Sequence, residues 1–246
     1  MIINLPMKSH RSLTFLHRNW VPHSCRGFIA AWLGSLLLLP APSLANEKKA
    51  PPPKPANRYA AYDAHSQEHV TIAADPCTDS KDCPFFRLPY IQHGFIPIRV
   101  IITNDGDTAL SLEDARIQFI SINKDVIPAA TLDDINRRLF STHNAMGTKV
   151  PLYPFPIHHA PVDKKITDDD NDFGFQGTTV NPHSTLAGYL FYDIHELDDP
   201  ALKGAELYLK MIHTIDGKRE LFSFSIPFDK WLAANAENSQ KTSTKN

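Results

Sequence analysis

Apolar and polar residues alternate over many short segments of the chain, which is the pattern of β-strands. In the longest such run, residues 95–102, Ile96, Ile98, Val100 and Ile102 take every second position. Further strands are predicted at residues 70–73, 109–112, 115–122, 186–192, 207–211 and 221–226. The chain therefore reads mainly as strands.

Turn and capping residues set the limits of these elements. Asp216-Gly217 separates the last two strands and predicts a hairpin, because both residues tolerate the positive φ of a type I′ turn. Residues 131–134 (Thr-Leu-Asp-Asp) resemble a capping box and predict a short helix through Leu139, and residues 228–233 predict a terminal turn. Many short strands with one or two short helices predict a mainly β, two-layer antiparallel sandwich.

The first 45 residues have the pattern of a secretory leader. They carry four basic residues and no acidic residue, and their apolar stretch at residues 28–39 is shorter than the roughly 20 residues of a membrane-spanning helix. The small residues Ser43 and Ala45 predict cleavage near Ala45, with no stable membrane insertion afterwards. An uncut anchor is the alternative. We expect a periplasmic or secreted protein.

The remaining chain divides into a core and its flanks. Residues 46–57 are rich in Pro and Lys and predict an extended linker or a disordered arm. Residues 58–234 predict a single β-sandwich domain, interrupted by a long insertion at residues 141–182, and residues 235–246 predict a disordered tail.

Charge argues against nucleic acid as a partner. Four of the 25 basic residues and none of the 27 acidic residues lie in the leader, so its removal takes the formal charge from −2 to −6. The sequence has no basic stripe with interleaved aromatic residues, which binding to phosphates would need.

Cysteine use fits an exported protein. Cys25 lies in the leader, and Cys77 and Cys83 remain, separated by a turn-forming segment. An oxidising compartment favours a disulfide between them, which the chain-entropy model values at about 2 kcal/mol. A metal site or a redox pair is the alternative. A metal site would need further thiol or histidine ligands nearby, and a redox pair usually has the spacing Cys-x-x-Cys.

An acidic run in the insertion is a candidate metal site. Asp168, Asp170 and Asp172 offer closely spaced oxygens, the ligands that Ca²⁺ prefers. Phe173 stands where an EF-hand requires glycine, so a solvated acidic loop is the alternative. No other cofactor is predicted.

Histidines are a second metal candidate. His158 and His159 are adjacent, and His143 and His183 are near in sequence, so a Zn²⁺ or Cu²⁺ site is conceivable. Neighbouring residues of an extended segment point to opposite sides, which favours ordinary surface histidines.

Catalytic motifs are missing from the sequence. It has no Gly-x-Ser-x-Gly elbow, no His-Glu-x-x-His helix and no glycine-rich phosphate loop. We therefore expect a protein that is not an enzyme, and an envelope hydrolase with residues brought together from distant positions is the alternative.

The insertion is the predicted contact surface. Aromatic side chains give a large contact area at modest entropy cost. The candidate contacts are Tyr153, Phe155, His158, His159, Phe173 and Phe175. The expected partner is an envelope protein, a polymer or a surface, and packing of the insertion against its own domain is the alternative.

Two segments resemble secreted bacterial immunoglobulin-like domains of the telokin-like class. They are residues 97–112, an apolar strand that turns at Asn-Asp-Gly, and residues 182–193, where Pro, Gly and an aromatic strand follow in order. The resemblance implies an immunoglobulin-like sandwich and export, and carries no catalytic residue. Gly188 would permit close backbone approach, while Leu190 and Phe191 point to opposite faces.

Overall fold

The alternating segments form β-strands in the computed structural model, which describes residues 49–139 and 162–243. The strands of this part are β1 Ala61–His65, β2 Val70–Pro76, β3 Phe95–Asn104, β4 Leu110–Ser111, β5 Arg116–Ile120, β6 Val126–Pro128, β7 Thr179–Val180, β8 Ser184–Asp193, β9 Glu206–Lys210, β10 His213–Thr214 and β11 Phe224–Pro227. The helices are α1 Leu132–Leu139, α2 Val162–Phe173 and α3 Asp229–Ser243, with 3₁₀-helices at Ala56–Arg58 and Tyr90–His93. The predicted mainly β fold is confirmed.

The described strands form three antiparallel sheets. The first has the order β1-β2-β3-β8, the second β11-β9-β5-β6, and a small third sheet has the order β10-β4-β7. In the first sheet, Val100 at the middle of β3 pairs with Ala74 of β2 and Gly188 of β8.

The first and second sheets share one hydrophobic core. Alternate residues of β3, such as Ile98 and Val100, are fully buried and join one cluster with Phe119, Leu207 and Phe224 of the second sheet. This packing explains the alternation of the sequence, because every second side chain of β3 faces the second sheet.

The opposite face of the first sheet, which we call the outer face, is also covered. All ten residues of β3 are buried, although its alternation would suggest one solvent-facing side. Three further clusters account for this. One joins Phe95 and Phe191 to Ile135 of α1 and Ile166 of α2, a second joins Tyr189 to the loop after β2, and a third joins Ile101 to Ala73 and Ala56. The outer face therefore carries a third layer of helices and loops.

Local signals located several elements correctly. Thr131 and Asp134 form the predicted capping box, since Thr131 N–H donates to the Asp134 carboxylate and Asp134 N–H donates to Thr131 Oγ1. Helix α1 ends at Leu139 as predicted. The backbone N–H of Gly217 donates to the Thr214 carbonyl at 2.8 Å in the predicted turn. Of Asp216 and Gly217, only Gly217 has a positive φ (68°). A type I′ turn needs a positive φ at both central residues, so the turn is of another type.

Two helices replace segments that we predicted as irregular. Residues 162–173, inside the predicted insertion loop, form α2, whose buried residues Ile166, Asp169 and Phe173 lie on one helical face. Because Asp169 occupies a buried position between Ile166 and Phe173, the sequence lacks the apolar repeat that would predict this helix. Helix α3 continues to Ser243 through the predicted tail, where alanines favour helix. None of the described helices is long and apolar enough to cross a membrane.

We predict that Gly188→Ala destabilises the fold by about 2 kcal/mol. A Cβ at Gly188 would lie 2.4 Å from Phe175 Cα and 2.6 Å from the Gly174 carbonyl oxygen, so the segment after α2 would have to move off β8. Urea unfolding measures the loss. Gly106→Ala is the control, because its Cβ would come no closer than 3.2 Å to its nearest neighbour, Asn104 Oδ1. Equal stability of the two variants would contradict the prediction.

Candidate binding cleft

A cleft of about 750 Å³ opens on the outer face of the first sheet. One side is the segment of residues 49–53, which we call the arm and whose prolines favour extended backbone, and the other is the C-terminal part of α2. Arg99 of β3 and residues 187–189 of β8 also line it. A cleft of this size holds a small ligand or a few peptide residues.

The disulfide predicted from the sequence supports one side of the cleft. Cys77 and Cys83 are bonded with their Cα atoms 6.2 Å apart, and both are buried. They pack in one cluster with Phe85, Phe173 and Tyr189, the last two of which line the cleft. The disulfide thus joins the packing beneath the cleft as well as closing its own small loop.

The loop after the disulfide holds α2 in place through Asp169. This carboxylate is completely buried. The backbone N–H of Arg87 donates to both of its oxygens at 3.2 and 3.0 Å, and Arg87 Nη1 donates to Oδ1 at 2.8 Å. Tyr90 Oη donates to Oδ2 at 2.8 Å. We call this arrangement the Asp169 clamp.

Burial dominates the electrostatics of the clamp. Loss of hydration raises the pKa of Asp169, against the opposing effect of hydrogen bonds from Arg87 and Tyr90. Burial and the nearby carboxylate also raise the pKa of Tyr90, so its hydroxyl stays a donor. Arg87 pairs in addition with Asp172 at the edge of the cleft.

A second buried charge, Arg99, lies at the floor of the cleft. Arg99 is 6% exposed, and its Nη2 donates to the Pro51 carbonyl of the arm at 2.6 Å. Its guanidinium carbon lies 5.8 Å from the ring centroid of Tyr189, the cross-strand neighbour on β8. Burial raises the pKa of Tyr189 to about 12, and the charge of Arg99 opposes that rise.

The arm is fixed along the cleft by local contacts. Ala50 packs against the disulfide cluster, and Ala56 N–H donates to Thr103 Oγ1 at 2.9 Å. Pro55 has φ −52° and ψ 142°, close to polyproline II.

The acidic run lies on α2 rather than in a loop. Asp168 and Asp172 border the cleft, whereas Asp170 accepts a hydrogen bond from Gln176. The described residues contain no group of three or more His, Cys, Asp or Glu side chains that could hold a metal ion. A Ca²⁺ site at Asp168, Asp170 and Asp172 has not been tested and stays a prediction.

The predicted contact residues fall in two groups. Tyr153, Phe155, His158 and His159 lie outside the described residues, as does His143. Phe173 is 6% exposed and lines the cleft, and Phe175 packs against the main core.

Two of the described histidines lie within hydrogen-bond distance of carboxylates. His65 lies 2.8 Å from Glu68, and His183 lies 3.0 Å from Asp107. Within this part of the chain, no histidine ring is hydrogen-bonded to a Ser, Thr or Cys side chain, as a nucleophile–base pair would require. The hydrolase alternative gains no support from these contacts.

No protein-family model, curated protein or solved structure matches the chain. The resemblance to immunoglobulin-like domains therefore stays a prediction.

We expect Asp169→Asn to cost about 3 kcal/mol of unfolding free energy. The amide keeps the shape of the carboxylate but brings an NH₂ group against the N–H donors of Arg87 and removes the counter-charge. Tyr90→Phe, which removes one donor of the same clamp, should cost about 1 kcal/mol. Urea denaturation compares the two. A loss in Asp169→Asn no larger than that in Tyr90→Phe would show that the charge pair does not hold α2.

Proposed function

We propose that the mature chain is an exported, non-catalytic β-sandwich of the immunoglobulin-like type that acts as a binding module of the cell envelope. The cleft on the outer face of the first sheet is its binding site. The partner is an envelope protein or a polymer.

The cleft is the observation that carries this proposal. Its walls combine apolar surface from Tyr189, Phe173 and the prolines of the arm with charged groups from Arg99 and Asp168. Binding sites usually have this mixture, in which apolar area supplies affinity and a few polar groups fix orientation. The Asp169 clamp holds the helical wall in position, and a preorganised wall lowers the entropy cost of binding.

Export rests on the leader and on the cysteines. The pattern of residues 1–45 is that of a cleaved secretory signal. The disulfide between Cys77 and Cys83 is typical of proteins that fold in an oxidising compartment. Two antiparallel sheets that share one core are also compatible with the immunoglobulin-like arrangement.

The export step gives the first prediction for this proposal. When the full 246-residue chain is expressed in a bacterial host, we expect a soluble envelope form whose N-terminal sequence begins at Asn46. Edman sequencing or mass spectrometry of that fraction identifies the new end. Lys8, Arg11, Arg18 and Arg26 should be absent from it. An uncleaved protein in the membrane fraction would support the anchor alternative and contradict the prediction.

Site-specific crosslinking tests the binding site itself. A photoreactive phenylalanine analogue at Asn171, an exposed residue that lines the cleft, should form an adduct with an envelope component in living cells. The control position is Phe222, which is 77% exposed and lies outside the cleft. Adducts from both positions alike, or none from Asn171, would contradict binding in the cleft.

A further inference from the structure

Arg99 is unusual for its position in the fold. It occupies the middle of β3, where its neighbours along the strand, Ile98 and Val100, are fully buried, and it is itself only 6% exposed. Arginine is almost never buried this far without a partner of opposite charge, because removing the guanidinium from water is costly.

Among the described residues, no carboxylate forms a salt bridge with Arg99. Its polar contacts are one hydrogen bond to the Pro51 carbonyl and the face of the Tyr189 ring. Asp75 lies directly across on β2 and its charge interacts with that of Arg99. Its carboxylate nevertheless accepts a hydrogen bond from Trp231 Nε1 and forms no salt bridge with the guanidinium. Arg87, the other arginine of the cleft, is paired with two aspartates.

The remaining donors of Arg99 are accessible from the cleft. Nε and Nη1 make no hydrogen bond, since the one bond to Pro51 uses Nη2. Among the described residues, the only fully buried side-chain polar atom without a partner is Asn136 Oδ1. The unused donors of Arg99 are thus not sealed in the core, and the lining of the cleft includes Arg99.

We infer that Arg99 binds the carboxylate of an extended peptide in this cleft, and this inference rests on the proposed function. A guanidinium presents parallel N–H donors that match the two oxygens of a carboxylate, and such charge-assisted bonds are strong. The occupant would supply a carboxylate in direct contact with the guanidinium, which Asp75 does not provide because its carboxylate is hydrogen-bonded to Trp231.

The arm shows why a peptide suits the site. Residues 51–53 already lie along the cleft, and their prolines favour extended backbone. The Pro51 carbonyl accepts the hydrogen bond from Arg99 Nη2. A second extended segment would meet Tyr189 and Phe173 with its apolar groups. The Asp168 side chain, which makes no hydrogen bond or salt bridge with the described residues, is available to a donor on the same ligand.

Peptide binding tests the charge requirement. The probe is N-acetyl-Pro-Pro-Glu amide, compared by calorimetry with N-acetyl-Pro-Pro-Gln amide, which has the same shape and no charge. The mature protein should bind the Glu peptide about tenfold more tightly. In Arg99→Gln that ratio should fall to about one, whereas Arg116→Gln, which removes an exposed charge outside the cleft, should keep it. Equal binding of the two peptides by the wild-type protein, or a preference that survives in Arg99→Gln, would overturn the inference.

A second measurement needs no folded Arg99 variant. In ¹⁵N-labelled mature protein, acetate should shift the Arg99 Nε–H resonance saturably, while the same concentration of chloride should not. The Nε–H resonance of Arg116 should not respond saturably to either ion. No saturable shift, or the same shift with chloride, would overturn the inference. Failure of the crosslinking at Asn171 would instead count against the proposed function, because crosslinking detects any partner in the cleft, with or without a carboxylate.

Discussion

The position of the cleft depends on one buried carboxylate. Asp169 has no exposed surface, and it accepts four hydrogen bonds from Arg87 and Tyr90 of the loop that follows the disulfide. A carboxylate in this environment is stable only while those donors surround it, because unpaired burial costs several kcal/mol. The clamp therefore fixes the position of helix α2 and, with it, the wall that the helix gives to the cleft.

Different kinds of contact hold the helical wall at two places. The clamp works through polar contacts near the middle of α2. After the helix, Phe175 N–H donates to the Tyr189 carbonyl at 3.0 Å, and Gly188 leaves the space in which the two backbones meet. The cluster of the disulfide with Phe173 and Tyr189 fills the volume between. Polar, steric and apolar contacts thus converge on the same short stretch of β8.

The sequence predicts those parts of the molecule whose signals are local. Alternation located β3 and β8, a capping box located α1, and the spacing of Cys77 and Cys83 predicted their bond. The clamp was out of reach because Arg87 and Asp169 are 82 positions apart. Helix α2 was missed for the same reason, since an aspartate occupies its buried face and only the tertiary partners explain it. Arg99 could have been noticed as the single charge in an apolar strand.

The two buried charges of the outer face differ in a way that bears on function. Asp169 has all the donors it needs, so it has no capacity left for a ligand and serves the structure. Arg99 has one acceptor for its several donors, and the cleft opens beside it. A ligand that completes this set gains an interaction that the free protein lacks, whereas a ligand at Asp169 would have to break existing bonds. The hydrogen bonds of Asp169 are complete and those of Arg99 are not. This difference assigns a structural role to Asp169 and leaves Arg99 as the residue proposed to bind a ligand.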